Sequence, residues 1–220
     1  VVCQIQRNGY LITKIYLRVV LPALPNGSVW CSKVGHAMLK TIELNIGGTT
    51  IDKHWGDWFN VWYELARKFA HDRGYDQMIG NTAELTTTMV GVTAPATLYV
   101  PLYFFHCRND GLALPLIATQ YHDTRIEIEF NPLAQLLCGT TASAPAVTMG
   151  SCSLYVDYVY LDSEERKKFA QASHEYLIEQ LQFTGAESVT SQSSKFRLNF
   201  NHQSKKLVWI VQKNLFTSGQ

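Results

Sequence analysis

Alternating apolar and polar residues mark several segments of the chain as half-buried β-strands. In residues 41–46 every second residue is isoleucine or leucine, and in residues 124–130 Ile126, Ile128 and Phe130 alternate with charged residues. Such alternation places one face of a strand on the core and the other face toward solvent. Gly47-Gly48 separates the first of these strands from residues 49–52, which predicts a β-hairpin with one buried face.

Further strands are predicted by runs of β-branched and aromatic residues that end at turn residues. Residues 10–21 form a long run of this kind, and Asn8-Gly9 before it predicts a tight hairpin with residues 3–7. Residues 98–106 are apolar on both faces, which predicts a strand covered on both sides, with Pro101 shifting it toward an edge or a bulge. The remaining predicted strands of this part are residues 112–121 and 151–161.

The hydrophobic period lengthens between residues 54 and 70. Apolar residues recur there at i, i+3, i+4 and i+7, which is the spacing of an amphipathic helix. The stripe consists of Trp55, Trp58, Phe59, Trp62, Leu65, Ala66 and Phe69. We therefore predict a helix over residues 54–70 whose aromatic stripe belongs to the hydrophobic core rather than to a sugar-stacking platform.

A change of composition at residues 162–168 indicates a linker between two units. This stretch is strongly charged; Asp162 can cap a short helix, and Glu165 stands in the capping-box position. A length of 220 residues also corresponds to about one and a half domains at roughly 150 residues each.

Alternation returns after the linker. Residues 176–183 fit either a strand or a helical turn, whereas residues 196–200 and 207–211 predict two alternating strands. Strands before the linker, strands after it and one inserted helix predict an all-β, sandwich-type architecture that begins again after the linker.

Composition narrows the classes of function. Hydrophobic residues make up 46% of the chain, which excludes a largely disordered protein. Charged residues are only 17%, and the net charge of +1 creates no field that would attract nucleic acid or an anionic membrane. Residues 85–107 and 130–156 lack charge over more than the ~20 residues of a membrane helix. Their prolines, glycines and polar residues favour strands and loops instead.

The cysteines and histidines form no local motif. The odd number of cysteines and the absence of a C-x-x-C pair predict reduced, mostly buried thiols without a disulfide framework. The histidines have no spacing at which two neighbours would share a metal ion, so we expect no metal site. The residues concerned are Cys3, Cys31, Cys107, Cys138 and Cys152, and His36, His54, His71, His106, His122, His174 and His202.

No catalytic constellation is found in the sequence. There is no nucleophile elbow and no P-loop, and we interpret His106-Cys107 and His122-Asp123 as hydrogen-bonded histidines near loops rather than nucleophile–base pairs. Asp52 and Asp57 flank the start of the aromatic helix, where they would favour its positive end. We therefore expect no enzymatic activity and no cofactor.

One candidate modification site is present. Asn26-Gly27-Ser28 is an N-glycosylation sequon, so Asn26 is a possible glycosylation site. No secretory leader is in view, and for this reason we expect the sequon to be unused.

Several longer segments carry a resemblance to a known family. They are residues 34–59, 101–122, 161–170 and 174–182, followed by 198–202 and 207–212. In this order they resemble the double jelly-roll major capsid proteins of large icosahedral DNA viruses of the algal-virus and iridovirus group. The resemblance implies a subunit of two jelly rolls, three of which form a pseudo-hexagonal capsomer in a shell around an inner membrane.

The resemblance also implies a domain organisation and a set of partners. Residues 1–161 correspond to a first jelly roll without its N-terminal strand, 162–173 to the interdomain linker, and 174–220 to the beginning of the second jelly roll. The implied partners are two further copies in a homotrimer, neighbouring capsomers, minor capsid proteins and a nearby inner membrane into which the protein is not inserted. No direct contact with nucleic acid is implied, and the implied location is the virion, with assembly in the host cytoplasm.

Two alternatives remain open from the residues alone. A carbohydrate-binding, lectin-like β-sandwich would present polar and aromatic residues in its loops, whereas the tryptophans here lie mainly in the predicted helix or in strands. A cupin-type metalloenzyme, which is also a jelly roll, would offer two histidines two residues apart on a strand.

Overall fold

The computed structural model describes residues 1–67, 69–87, 91–139 and 148–213. The strands are β1 (Val2–Gln4), β2 (Leu11–Leu21), β3 (Ser28–Trp30), β4 (Leu39–Ile46), β5 (Thr49–Trp55), β6 (Ala96–Pro101), β7 (Leu114–Pro115), β8 (Thr124–Phe130), β9 (Leu137–Gly139) and β10 (Cys152–Val159). The α-helices are α1 (Val34–Ala37), α2 (Gly56–Ala66), α3 (Asp72–Ile79), α4 (Ala83–Thr86), α5 (Phe105–Arg108) and α6 (Ser163–Gln171).

Two antiparallel sheets share one hydrophobic core. The first sheet has the order β1-β8-β4-β5, and the second has the order β10-β2-β6 with β7 also paired to β2. A small β3-β9 pair accompanies them. The inward residues of both sheets belong to one cluster, which includes Ile42, Leu44, Ile126 and Ile128 from the first sheet and Ile15, Leu17, Val19, Leu98 and Val100 from the second. The result is a β-sandwich, as predicted.

The strands with strict alternation are confirmed. In β8 buried and exposed residues alternate from Thr124 to Glu129. Strands β4 and β5 form the predicted hairpin, with Ile46 opposite Thr49. Gly47 and Gly48 have φ angles of 60° and 83°, a backbone conformation that glycine adopts without steric cost.

The hairpin predicted at Asn8-Gly9 is wrong. Strand β1 pairs with β8 of the first sheet, while β2 pairs with β10, β6 and β7 of the second, so this turn passes from one sheet to the other. Gly9 is needed for another reason: a Cβ atom here would lie 2.6 Å from the Cβ of Tyr158. The Asn-Gly signal indicates a turn, but the core faces of the two strands decide which sheet each one joins.

The strand predicted over residues 98–106 is shorter and one-sided. Strand β6 ends at Pro101, which has no N–H to continue a ladder, and Tyr99 on its outer face is exposed. The apolar residues that follow are buried in a coil and in α5 rather than in a strand. The strand predicted over 112–121 is likewise reduced to the two residues of β7, followed by turns.

Helix α2 is shorter than predicted and buries only part of the aromatic stripe. Phe59 and Tyr63, one turn apart, are buried, whereas Trp58 and Trp62 are half-buried and Leu65 is 63% exposed. Trp55 is the last residue of β5, and the helix ends at Ala66. The prediction that the whole stripe is core is therefore wrong, because a helix of this length lays only one narrow face on the sandwich.

The predicted helix cap at Asp162 is confirmed. Oδ1 of Asp162 accepts a hydrogen bond of 2.8 Å from the backbone N–H of Glu165 and begins α6. Within residues 172–213, however, no helix or strand is formed, so the strands predicted over 196–200 and 207–211 are wrong for this chain. A strand needs a hydrogen-bonded neighbour, and these segments have none among the described residues.

The cysteines are less buried than expected. All five are free; Cys138 and Cys152 are exposed and the other three are half-buried, which corrects the expectation of mostly buried thiols. Among the described residues, no helix has the length and apolar character required to cross a membrane.

Gly56, at the junction of β5 and α2, is expected to tolerate no side chain. A Cβ atom there would lie 2.0 Å from the carbonyl oxygen of Leu39. We expect Gly56→Ala to lower the free energy of unfolding by about 2–3 kcal/mol, as forced overpacking does. Gly74→Ala in α3 is the matched control, because its Cβ would meet no atom within 4 Å and alanine favours a helix. Chemical denaturation of both variants measures the difference, and equal stabilities would contradict the packing at Gly56.

Candidate interaction site

A segment that follows α6 lies against the sandwich and defines the candidate site. Residues 174–183 are here called the docked segment. The hydroxyl of Tyr176 donates to the carbonyl of Ala113 at 3.2 Å, and the backbone N–H of Leu181 donates to Oδ1 of Asp52 at 3.1 Å. The side-chain amide of Gln180 donates to the carbonyl of Ile51. These bonds tie an otherwise irregular segment to β5 and to the region before β7.

Asp52 and His54 form a buried pair beneath the docked segment. Both side chains are fully buried, and Oδ2 of Asp52 lies 2.9 Å from Nε2 of His54. Oδ1 of Asp52 accepts from the N–H of Lys53 at 3.0 Å in addition to Leu181. A buried carboxylate is tolerated only when such donors compensate its lost hydration. Asp52 thus links the interior of the sandwich to the docked segment.

The ring of His54 is held by aromatic neighbours. It stacks on Phe104 with a centroid separation of 5.0 Å and meets the edge of Phe59 at 5.9 Å. Outside the core, Trp55 at the end of β5 contacts the ring of Phe183 at 5.1 Å. The inner and outer faces of β5 therefore both take part in holding the docked segment.

Trp62 forms the second part of the site. The guanidinium of Arg108 lies 4.8 Å from the centre of its ring, and the ammonium of Lys206 lies 5.7 Å from it. Arg108 also approaches Glu179 at 3.5 Å, and Glu179 pairs with Lys205. Trp62 is half-buried, and later parts of the chain cover it in place of the core, which corrects its assignment to the predicted core.

A polar cluster packs against the buried residues Phe59 and Tyr63 of α2. Nε2 of His36 lies 2.9 Å from the hydroxyl of Tyr75, which in turn contacts the hydroxyl of Tyr103. Burial, with a smaller contribution from Lys33, lowers the pKa of His36 to about 4, and burial raises the pKa of Tyr103 to about 12. All members of this cluster are therefore neutral near pH 7.

The neighbouring His106 and Cys107 do not form an activated nucleophile. Burial lowers the pKa of His106 to about 4 and raises the pKa of Cys107 to about 12. Both groups are therefore neutral near pH 7, whereas a reactive cysteine requires a thiolate. Among the residues that the structure describes, no group of three histidine, cysteine or acidic side chains could hold a metal ion.

We expect acid to destabilise the protein through His36 and His106. Their pKa values of about 4 lie below the ordinary value of about 6.5. Between about pH 6.5 and about pH 4, therefore, both histidines are protonated in the unfolded chain but neutral in the folded protein. The free energy of unfolding should then fall by about 1.4 kcal/mol per pH unit for each histidine as the pH falls from about 6.5 to about 4. Denaturant unfolding across this range measures the slope. His202→Asn, at an exposed position, should keep the slope, and a pH-independent stability would contradict the burial of both histidines.

Asn26, the candidate glycosylation site, lies on an exposed turn just before β3. The N–H of Ser28 donates to the carbonyl of Pro25, and Gly27 has a φ of 85°. Oδ1 of Asn26 accepts from the N–H of Gly91 at 2.9 Å, and Ser28 is buried. The side chain of Asn26 thus connects the turn before β3 to the loop before β6.

Asp52 is an anchor that was not predicted. It was expected at the positive end of α2, but its carboxylate points to His54 and Leu181 instead. Asp57 does lie in the first turn of α2, as expected. The available signal was the spacing of Asp52 and His54, which puts two polar residues on the same face of one strand.

Comparison with known proteins agrees with this architecture. A quasi-atomic model of the PBCV-1 virus capsid matches 91% of the chain with a TM-score of 0.78 and 38% sequence identity, and the match covers 49% of that chain. The Faustovirus major capsid protein matches 76% of the chain and 52% of its own, with a TM-score of 0.59 at 10% identity, which shows a shared fold alone. The fold is thus that of the double jelly-roll viral capsid proteins.

Sequence comparison identifies the family. Residues 1–162 match the family "Major capsid protein N-terminus", and residues 165–220 match "Large eukaryotic DNA virus major capsid protein". The major capsid protein of Pyramimonas orientalis virus is 48% identical over 214 residues, and that of Paramecium bursaria Chlorella virus 1 is 43% identical over 215. The chain belongs to the major capsid protein family of large eukaryotic DNA viruses.

The chain corresponds to only part of these relatives. The two alignments cover 96% and 94% of this chain but 51% and 47% of the relatives. Capsid protein 1 of Acanthamoeba polyphaga mimivirus is 43% identical over 240 residues, which cover 99% of this chain and 40% of that protein. The chain therefore spans about half the length of the curated relatives it matches.

Proposed function

We propose that the protein is a structural major capsid protein, three copies of which form a pseudo-hexagonal capsomer of an icosahedral viral shell. Residues 1–161 contribute the first jelly roll, 162–173 the linker and 174–220 the beginning of the second jelly roll. The relatives named above support this proposal, and so does the surface of the chain after α6.

The exposed apolar residues after α6 are the observation that carries the proposal. Leu177, Trp209 and Val211 are 77%, 78% and 82% exposed, and several neighbours are similarly open to solvent. A stable protein rarely leaves such a series of large apolar side chains in water. Further protein must cover them, and a second sandwich packed beside the first is the arrangement that we propose.

The outer faces of the two sheets differ in a way that fits lateral packing. The outer face of the first sheet carries ion pairs, among them Lys53–Glu43 at 2.5 Å and Lys40–Glu129 at 2.6 Å. The outer face of the second sheet presents the contacting rings of Tyr99 and Tyr155, with Arg18 directly opposite Tyr99. Tyrosine and arginine are both enriched in protein interfaces. We therefore assign the second sheet to contacts within the capsomer and the first sheet to more solvated surface.

The proposal includes location and partners. The protein would reside in the shell of the virion after assembly in the host cytoplasm, and it would contact neighbouring capsomers and minor capsid proteins. The inner membrane would lie nearby without insertion, and the net charge of +1 supports no direct contact with nucleic acid. A structural role requires no cofactor and no enzymatic activity, and we propose neither.

Immunogold electron microscopy of infected cells and purified virions tests this function. Antibodies against the full-length protein should label the periphery of the particles and assembly sites in the cytoplasm, and serum depleted with the same protein is the control. Label confined to the particle interior, or absent from particles, would refute the proposed role in the shell.

A further inference from the structure

We propose that Cys3 and Cys152 form an oxidisable pair whose disulfide fastens the two sheets of the sandwich together at their open edge. The inference concerns a modification site within the first sandwich and does not depend on the proposed capsid function. It rests on strand order, on the direction of both side chains and on contacts between the two edge strands.

The two cysteines lie on edge strands on the same side of the sandwich. Strand β1 is the last strand of the first sheet on one side, and β10 is the last strand of the second sheet. The chain after β1 runs along β10: the N–H of Tyr10 donates to the carbonyl of Val159 at 3.1 Å, and the hydroxyl of Tyr158 donates to the carbonyl of Gln6 at 2.6 Å. Next to the Asn8-Gly9 turn the two edges are therefore in direct contact, closer than the ordinary separation of stacked sheets of about 10 Å.

Both side chains lie on the core-facing side of their strands. Cys3 is opposite Ile126 of the core and is half-buried between the exposed residues Val2 and Gln4. Cys152 is opposite Val19, which is also in the core, and shares the face of the half-buried Leu154. Directly opposed residues of an antiparallel pair share one face, so each cysteine points into the gap between the sheets.

The electrostatics agree with this proximity. The pKa of the Cys152 thiol is raised first by burial and next by the negative charge that a thiolate at Cys3 would carry. Disulfides that connect the two sheets of a sandwich are known from immunoglobulin domains, so the geometry has a precedent. Cys152 is exposed, which allows a small oxidant to reach it.

The reaction requires an oxidant, for which glutathione disulfide suffices. The Cys152 thiolate attacks one sulfur of glutathione disulfide and expels one glutathione thiolate, and the Cys3 thiolate then attacks the Cys152 sulfur and expels the second. One S–S bond is broken and one is formed. The two cysteine thiols lose two electrons and two protons, which yield two molecules of reduced glutathione. Because thiolates are the nucleophiles, the reaction should be faster at alkaline pH.

The test is non-reducing peptide mapping of the native full-length protein after incubation with glutathione disulfide at mildly alkaline pH. We expect a linked peptide pair that contains Cys3 and Cys152 and disappears on reduction. We also expect Tm to rise by roughly 5–10 °C on oxidation, because the bond closes a long loop. Cys3→Ser and Cys152→Ser should each abolish both effects.

The double variant Cys31→Ser/Cys138→Ser is the matched control. These two cysteines lie diagonally across the β3-β9 pair, where the register places Cys138 opposite Val29 rather than opposite Cys31. This variant should retain the linked peptide and the rise in Tm. If the native protein gives no Cys3–Cys152 peptide, or gives it only after denaturation, the proposal is wrong.

Discussion

Replacing Phe59 by alanine is expected to lower the free energy of unfolding of the full-length protein by about 3–5 kcal/mol. Phe59 is fully buried, and its ring lies between those of His36, His54 and Tyr103 at centroid distances of 5.6–5.9 Å. Its removal would leave a cavity where α2 packs against α1 and β5, and the surrounding rings could close it only in part. Urea denaturation followed by tryptophan fluorescence measures this loss.

Leu65→Ala, in the same helix, is the matched control for Phe59→Ala. Leu65 is 63% exposed, so its truncation should change stability by no more than about 0.5 kcal/mol. The loss of stability caused by Trp58→Ala or Trp62→Ala should lie between the values for Leu65→Ala and Phe59→Ala, because both tryptophan rings are half-buried. If Phe59→Ala were as mild as Leu65→Ala, the packing of α2 on the sandwich would be incorrect.

Asp52→Ala is expected to cost about 3–5 kcal/mol and to release the docked segment. The substitution leaves the buried His54 without its carboxylate neighbour and removes the acceptor for the N–H of Leu181. Hydrogen–deuterium exchange should therefore become faster in residues 176–183 than in the core strands. Denaturation and exchange on the same sample separate the global effect from the local one.

Asp57→Ala is the control for Asp52→Ala. Asp57 is an exposed residue in the first turn of α2, where its interaction with the helix dipole contributes only about 0.3–1 kcal/mol. Exchange in the docked segment should be unchanged in this variant. A stable Asp52→Ala protein with normal exchange at Leu181 would show that Asp52 does not anchor the segment.

The sequence pattern correctly predicted the elements that depend on residues near to them in sequence. The alternation in β8, the glycine turn between β4 and β5 and the cap at Asp162 depend on near neighbours in sequence, and all three are confirmed. The Asn8-Gly9 turn was recognised but was assigned to a hairpin, because the pattern contains no information on which sheet each flanking strand joins.

The candidate site depends on contacts between distant residues and was harder to predict. Asp52 and Leu181 meet across 129 positions of sequence, so no local pattern predicts their hydrogen bond. The prediction that the whole aromatic stripe is core was wrong for a similar reason. Trp62 is covered by Arg108 and Lys206, which are distant in sequence, rather than by the core. The family resemblance supplied the architecture because it rests on segments spread along most of the chain.

Light scattering on the purified full-length protein, diluted to nanomolar concentration, tests the central claim most directly. The low charge content of 17% and the contacting tyrosine rings on the outer face of the second sheet are the basis of the proposed lateral contacts between subunits. Such contacts should bury more than about 2,000 Å² per interface, the range of obligate oligomers. The account predicts a molar mass three times that of the subunit which persists on dilution. A stable monomer under these conditions would contradict it.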